Sequence, residues 1–432
     1  MANIILTPTV LLRGVLMNLG GRLNVARNMT KEYQKQFGGK GVKPGATIQV
    51  PKPQRFEGTR NTKFTPESLK NTSTPVTVDK RANVHFEWSS VEKTLSIIDA
   101  QQKYFKPASI TIAHMVNADA AEYAFLNSFN TVGTPGVVPG AGSATVPELL
   151  DVYMKAGDKL IEQGLPEGEQ LNCIISRRMS SVFVGRVSSL FTPTEVIGKQ
   201  YKTGWVDPTG LGYNWYKDQG LYVHTSGTLA DASNNTVVNG ANQVSGDGNN
   251  STGSLIIDGL DASATIKAGD WFTIANVYST HPQYHTSTGQ LAQFRVLADV
   301  TADGSGNATL SIYPAITASG QYQNVDSVPA NDAAVLFDEA AVGNVDAYGS
   351  TVSRAGLLLH KNAFAFCSVP LEGPEDGMGA ILRQETDPDT GITIRFTRSW
   401  DGDEEREITR LDTLYGFGRL YGELCSTILS AS

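Results

Sequence analysis

The sequence predicts an α+β protein with an all-β segment set into its second half. Three observations carry this. Two amphipathic helical stretches, joined by a Gly/Pro-rich turn, run from Pro107 to Gly164. Between Thr225 and Asp338 the composition shifts to Gly, Asn, Ser and Thr with short alternating apolar runs. Near the end, Thr390–Ser399 and Glu405–Leu414 alternate on either side of the turn Trp400–Glu404, the clearest hairpin in the chain.

The first helix is expected over Ala108–Asn130. Ile112, Met115, Val116, Ala120, Tyr123 and Leu126 share one arc of a 3.6-residue wheel, and Asn117, Asp119 and Glu122 face away. Thr131–Ala144 holds four glycines and two prolines, so it cannot continue that helix. Thr145 then caps a second helix, with Glu148 closing a capping box, and Gly164 ends it. Thr7–Phe37 reads as a broken helix that must dock, because its apolar residues are too few for a core. The Pro-punctuated, basic stretch Gly38–Ala82 reads as a two-stranded excursion from the body. Leu171–Ser176 reads as a buried strand, Arg177–Phe191 as a short helix and Leu357–Phe366 as a buried apolar run.

The 432 residues exceed one ordinary core. Three widely spaced cysteines (Cys173, Cys367, Cys425) argue against a disulfide framework and for synthesis in a reducing compartment. No signal-peptide pattern or membrane-spanning run stands out. The net charge of −8 hides an asymmetry: residues 1–106 carry 17 Lys/Arg and 7 Asp/Glu, and the remainder is strongly acidic. The basic residues are single and lack interleaved aromatics, which favours contact between copies of the chain over reading of nucleic acid. Residues 225–338 hold ten Asp, no Glu and two basic residues, Lys267 and Arg295. Their apolar set (Leu255, Ile257, Trp271, Phe272, Ile274, Val277, Phe294, Val296, Leu310, Ile312) is large enough for a domain of its own.

Catalytic patterns are missing from the sequence. His281 and His285 have metal-pair spacing, but Pro282 intervenes and no third ligand is near. The acidic run Asp401, Asp403, Glu404, Glu405, Glu407 lacks calcium-loop spacing, and Gly38–Gly41 is too short for a phosphate loop. The residues therefore describe a structural or binding protein, not an enzyme, with no cofactor and no metal.

Several strings in fixed order resemble the major coat proteins of P22-like short-tailed dsDNA phages. They are Tyr201–Gly204, Gly212–Tyr216 and Val223–Gly227, then Leu359–Ala365, Val369–Glu372, Thr390–Arg395, Arg410–Gly416 and Tyr421–Leu424. Gly422 departs from the Pro of many relatives, and a looser final turn is expected there. The resemblance implies an HK97-like capsid fold. Its parts would be an N-terminal arm (1–44), an extended loop (45–81), a peripheral domain with the spine helix (82–165 and 385–432), an axial domain (166–224 and 339–384) and an inserted β-barrel domain (225–338). It implies a major capsid protein, made in the host cytoplasm, that assembles with itself into the icosahedral head around double-stranded DNA. Its partners would be other copies, a scaffolding protein, a portal and non-specifically held DNA, with no membrane. Arg55, Arg60 and Lys63 of the loop are the candidate subunit contacts. The second reading is a glycan-binding adhesion or virion-surface protein using Trp271, Tyr278 and Tyr284.

Sequence alone aligns no Lys–Asn pair with a nearby acid, so assembly without covalent crosslinks is expected. Boiled particles on a denaturing gel should give one band at the monomer mass; a ladder of multiples refutes this.

Overall fold

A computed structural model describes residues 8–19, 22–37, 44–56, 69, 72–89, 101–142, 146–166, 168–187, 210–231, 235–244, 251–337, 348–373, 380–387 and 389–432. The chain divides into two compact units. The first takes Met1–Pro51, Ser73–Ala121 and Phe364–Leu420; the second takes Lys52–Thr72, Glu122–Ala363 and Tyr421–Ser432.

The first unit begins with the helix Pro8–Leu19, a helical turn at Asn24–Arg27 and a 3-10 turn at Glu32–Phe37, the broken helix the glycines foretold. Leu12, Val15, Leu16 and Leu19 are buried at helical spacing, so the segment docks by one apolar stripe. Its sheet orders the strands Ala46–Pro51, Ser73–Ser89, Arg406–Arg419, Thr393–Asp401 and Ala380–Thr386, all antiparallel. Phe364–Val369 pairs with the far half of Arg406–Arg419. The basic excursion is only partly an excursion. Its first limb pairs Ala46 with Val78, but its returning limb is a 17-residue strand that also pairs with Arg406–Arg419. The physical reason is the alternation of Val76, Val78 and Ala82, all buried, which makes this limb part of the sheet's inner face. The hairpin is confirmed and longer than expected: Asp401 opposes Arg406, and Trp400 and Asp401 are strand rather than turn.

The spine helix runs from Lys106 to Leu126, about 32 Å at 1.5 Å per residue, after a π turn at Gln101–Phe105. It ends before Asn130, which starts the strand Asn130–Val132. Two expected faces are corrected. Met115 is 46% exposed, whereas Asn117 is buried and its Oδ1 accepts the Val25 N–H at 2.9 Å. Ala113, Ala120, Ala121 and Ala124 are buried beside the larger residues, so the covered surface is wider than the single arc. Alanine carries little periodic signal, and a polar residue with a partner can sit inside it.

The second unit holds two six-stranded sheets. One orders Asn130–Val132, Cys425–Ala431, Val352–His360, Leu171–Ile175 and Tyr213–Lys217, with Val223–Thr225 also on Val352–His360. The helices Val146–Glu162 and Arg177–Val187 pack on it through Leu149, Tyr153, Ala156, Leu160, Met179 and Phe183, against Trp215, Leu358 and Ile428. Thr145, the expected cap, lies outside the described residues. The other sheet orders Val335–Phe337, Trp271–Thr280, Ser287–Val296, Ala308–Tyr313, Gly253–Asp258 and Val237–Val238. Its first and last strands also meet: Val237 bridges Ala334, and the Val335 N–H donates to the Thr236 carbonyl at 3.0 Å. The expected apolar set fills its core except for Trp271, which packs instead with Phe125, Ala355 and Leu429. The apolar run Leu357–Phe366 is two strands broken at His360–Ala363, one in each unit.

Gly422 makes a tight turn, not a loose one. A Cβ there would stand 2.4 Å from Tyr313 Oη and 2.5 Å from the Asn127 carbonyl. Gly416 is as constrained, at the register shift where Arg406–Arg419 crosses Ser73–Ser89: its Cβ would lie 2.6 Å from Val78 Cα and closer still to the Thr77 carbonyl. Gly416→Ala should therefore destabilise the unassembled subunit by about 1–3 kcal/mol, the usual cost of overpacking, read from its denaturant midpoint. A midpoint within error of the parent would refute the close approach.

Candidate subunit-interaction site

Of the three loop cations singled out from the sequence, Arg55 is described, and Arg60 and Lys63 lie outside the described residues. The Arg55 guanidinium donates to Glu423 Oε1 at 3.1 Å, and Glu423 is buried in the 3-10 turn Gly422–Leu424. The Glu423 carbonyl in turn accepts from Asn130 Nδ2 at 2.9 Å. The Lys52 N–H donates to the Thr72 carbonyl at 2.9 Å, and the Lys52 ammonium stands over the Tyr421 ring. The loop base is thus closed on itself and clamped to the chain's last turn. Phe56 and Leu69, next to the undescribed stretch 57–68, are 59% and 69% exposed. Sequence reasoning looked for charge here and passed over these two apolar side chains.

In the first unit, the outer face of the sheet is built on Asp412. Antiparallel register places Asp412 opposite Arg395 and Asn83, Arg410 opposite Thr397 and His85, and Arg81 opposite Leu414, all on one face. Arg395 grips Asp412 with both prongs, Nε to Oδ1 at 2.8 Å and a terminal nitrogen to Oδ2 at 2.5 Å. Arg81 donates to Oδ2 at 2.5 Å, and Arg410 Nε lies 3.2 Å from the same oxygen. Burial alone would push the Asp412 carboxyl up. The hydrogen bonds and charges of Arg395 and Arg81 outweigh it and hold the carboxyl below the usual range. Three guanidinium groups around one carboxylate leave a local excess of positive charge at this point of the face. Nearby, Tyr415 donates to Asp119 Oδ2 at 2.8 Å, and burial, then that bond, push the phenol up. At the hairpin tip Arg406 meets Glu87, Glu404 and Asp401 at 2.8, 2.6 and 3.3 Å, so much of the acidic run is spent on ion pairs.

In the second unit, the lone arginine of the β-rich segment proves to be its main polar attachment. Arg295 is fully buried, with Nε donating to the Ser128 carbonyl at 2.9 Å and one terminal nitrogen to the Gly269 carbonyl at 2.7 Å. The other terminal nitrogen donates to Thr131 Oγ1 at 2.8 Å and Thr427 Oγ1 at 3.0 Å. The guanidinium carbon sits 4.4 Å from the centre of the Phe125 ring. Gln293 adds a reciprocal pair with the Thr131 backbone, at 2.8 and 3.0 Å. His224 Nε2 meets Asp270 Oδ1 at 2.7 Å, while Asp270 Oδ2 accepts the N–H groups of Gly227 and Lys267. The signal available in the sequence was Arg295's isolation: one of two basic residues in 114.

The remaining candidates have structural occupations. His281 Nδ1 accepts the N–H groups of Gln283 and Tyr284, a turn-forming role, and no group of three metal-ligating side chains occurs among the described residues. Burial pushes the Cys367 and Cys425 thiols up to about 12, and pushes Cys173 up as well.

A family model described as P22 coat protein, gene protein 5, matches residues 3–424. The chain belongs to the P22 coat protein family. It is a structural major capsid protein of the phage virion, and the family match gives no support to the adhesion reading; Trp271, one of the three aromatics that reading needed, is buried. Family membership, with the mixed helix-and-strand architecture, supports the HK97-like capsid fold. No curated protein matches the chain. Among solved structures, one from Mycobacterium phage Che8 is similar at 9% identity over 94% of this chain and 90% of that one, with a TM-score of 0.45. The capsid of Ralstonia phage GP4 is similar at 6% identity over 96% and 90%, with a TM-score of 0.41. The CUS-3 coat protein I-domain is 32% identical over 24% of this chain and 92% of its own, with a TM-score of 0.17. No helix among the described residues is long and apolar enough to cross a membrane.

For a coat protein the arginine cluster on Asp412 is a surface feature whose arrangement depends on one carboxylate. Asp412→Asn should cost about 1.5–3 kcal/mol, because it weakens the charged hydrogen bonds to Arg395, the one mostly covered guanidinium, while Arg81 and Arg410 remain open to water. The folded carboxyl titrates below its unfolded value. Its contribution is therefore present above the usual carboxylate range, about pH 3.9, and is lost as pH falls through the folded value. Denaturant midpoints from pH 7 to pH 2 should converge for parent and variant at the acid end. A variant within 1 kcal/mol of the parent at pH 7 would refute this.

Proposed function

We propose that this coat protein builds the icosahedral head enclosing double-stranded DNA, by repeated contact between copies. The family match across residues 3–424 carries this reading. Scaffolding protein, portal and non-specifically held DNA are the further partners we assign. The arm, extended loop, peripheral, axial and inserted segments follow the boundaries set out from the sequence. In that division residues 225–338 form an inserted barrel, a reading supported by the separate apolar core of its strands and the meeting of Val237 with Ala334.

The extended loop is the element we assign to contact with neighbouring copies. Arg55 is already engaged by Glu423, so its reversal would place two carboxylates together inside one chain. Arg60 and Lys63 carry the intermolecular role, and exposed Phe56 and Leu69 of the same loop add apolar surface. An exposed ion pair is worth only about 0–1 kcal/mol, but a shell repeats it in every subunit. Electron microscopy of the purified protein should show spherical shells or hexamer and pentamer clusters; monomers under all conditions refute the shell. The Arg60→Glu/Lys63→Glu variant should stay folded and fail to form shells at low salt, and normal shells refute the loop assignment.

A further inference from the structure

A cavity of about 530 Å3 opens in the second unit where two neighbouring parallel strands, Leu171–Ile175 and Tyr213–Lys217, reach their carboxyl ends. Arg177, Arg178, Arg354, Asp218, Ser176 and Ser181 are among the residues that line it. Open α/β sheets place ligands at such strand ends, because the chain must turn away there and leaves a crevice. The backbone closes the floor, with the Asp218 N–H donating to the Ile175 carbonyl at 3.0 Å.

The lining is cationic. Arg177 and Arg178 enter from the start of the helix Arg177–Val187, and Arg354 from the strand Val352–His360. Arg354 Nε is buried and has no hydrogen-bond partner among the described residues, an unsatisfied donor in the wall of an open cavity. Arg178 reaches the Ser432 carbonyl oxygen at 3.3 Å, a long and weak bond that leaves most of its fork unused. The hydroxyls each have a backbone partner: Ser176 Oγ accepts the Met179 N–H at 3.2 Å, and Ser181 Oγ donates to the Arg178 carbonyl at 2.9 Å. Against three arginines stands Asp218, whose Oδ1 accepts the Gly220 N–H at 2.6 Å. A carboxylate at Ser432 would still leave the lining net positive. Next to the cavity, burial and then the charge of Arg177 push the Lys217 ammonium down, which reports the same positive potential.

We propose that this cavity binds a multiply charged phosphate group, held by Arg177, Arg178 and Arg354. Planar guanidinium forks match phosphate oxygens in pairs, and an excess of cations suits a polyanion better than a single carboxylate. The volume falls in the range of small-ligand sites and exceeds what one phosphate needs, so a polyphosphate or a stretch of nucleic-acid backbone fits. This goes beyond the shell-forming role and stands whether or not the extended loop makes the subunit contacts.

The test is calorimetric titration of the unassembled full chain with inorganic tripolyphosphate at low salt, with thermal melts alongside. Saturable binding and a raised Tm are expected. Arg177→Gln/Arg178→Gln, both exposed residues, should weaken binding about tenfold or more, and Arg354→Gln should do the same. If Arg354→Gln fails to fold, the exposed double variant decides. No saturable binding by the parent chain, or undiminished binding by the double variant, overturns the proposal. A 20-base-pair duplex that competes with tripolyphosphate identifies DNA backbone as the source of the phosphate. Tripolyphosphate binding without competition identifies a free polyphosphate, and either result upholds the site.

Discussion

The second unit depends on the burial of one arginine. Taking a guanidinium out of water costs several kcal/mol even after relaxation, so its position is tolerable only where its donors are met. Arg295 meets that condition by joining four chain segments at once: Ser128 beyond the spine helix, Thr131 of one strand, Thr427 of another, and Gly269 in the turn before its own neighbouring strand. The Phe125 ring covers its face. The fork geometry is rigid, so the four acceptors are held in one arrangement and the β-rich sheet is fixed against the strands that precede and follow it. A hydrophobic contact of the same area would permit sliding; a set of directional bonds to a buried charge does not. Trp271 adds the apolar half of the same junction by leaving the β-rich core and packing with Phe125, Ala355 and Leu429.

The first unit applies the opposite sign. There a carboxylate, Asp412, is buried and three arginines converge on it, fixing the centre of a sheet face. A coat protein is a structural component of the virion. Its chemistry lies in holding charged surfaces in fixed places so that weak contacts, repeated many times, choose one geometry. Buried ion networks suit that work because they specify arrangement more than they add stability.

Much of the architecture was legible in the sequence. The helix stripes, the Gly/Pro turn, the Gly- and Asn-rich β segment and the terminal hairpin all rest on local periodicity, and local periodicity survives in a single chain read residue by residue. The ordered strings from Tyr201 to Leu424 pointed to the coat-protein family for the same reason. The candidate site was legible only as a charge imbalance. Arg55 was visible as a cation, but Glu423, 368 residues away, was not visible as its partner.

Sequence by itself determined the main helices, the β-rich segment, the terminal hairpin and the family. Tertiary structure decided which polar residues are buried and what satisfies them: Asn117 facing inward onto Val25, Asp412 under its arginines, Arg295 in its cage, and Gly422 pressed against Tyr313. The physical reason is that an isolated polar residue or glycine carries no period. Its energy depends on a donor, an acceptor or a neighbouring backbone brought near by folding, and that proximity is written in no local stretch of the chain.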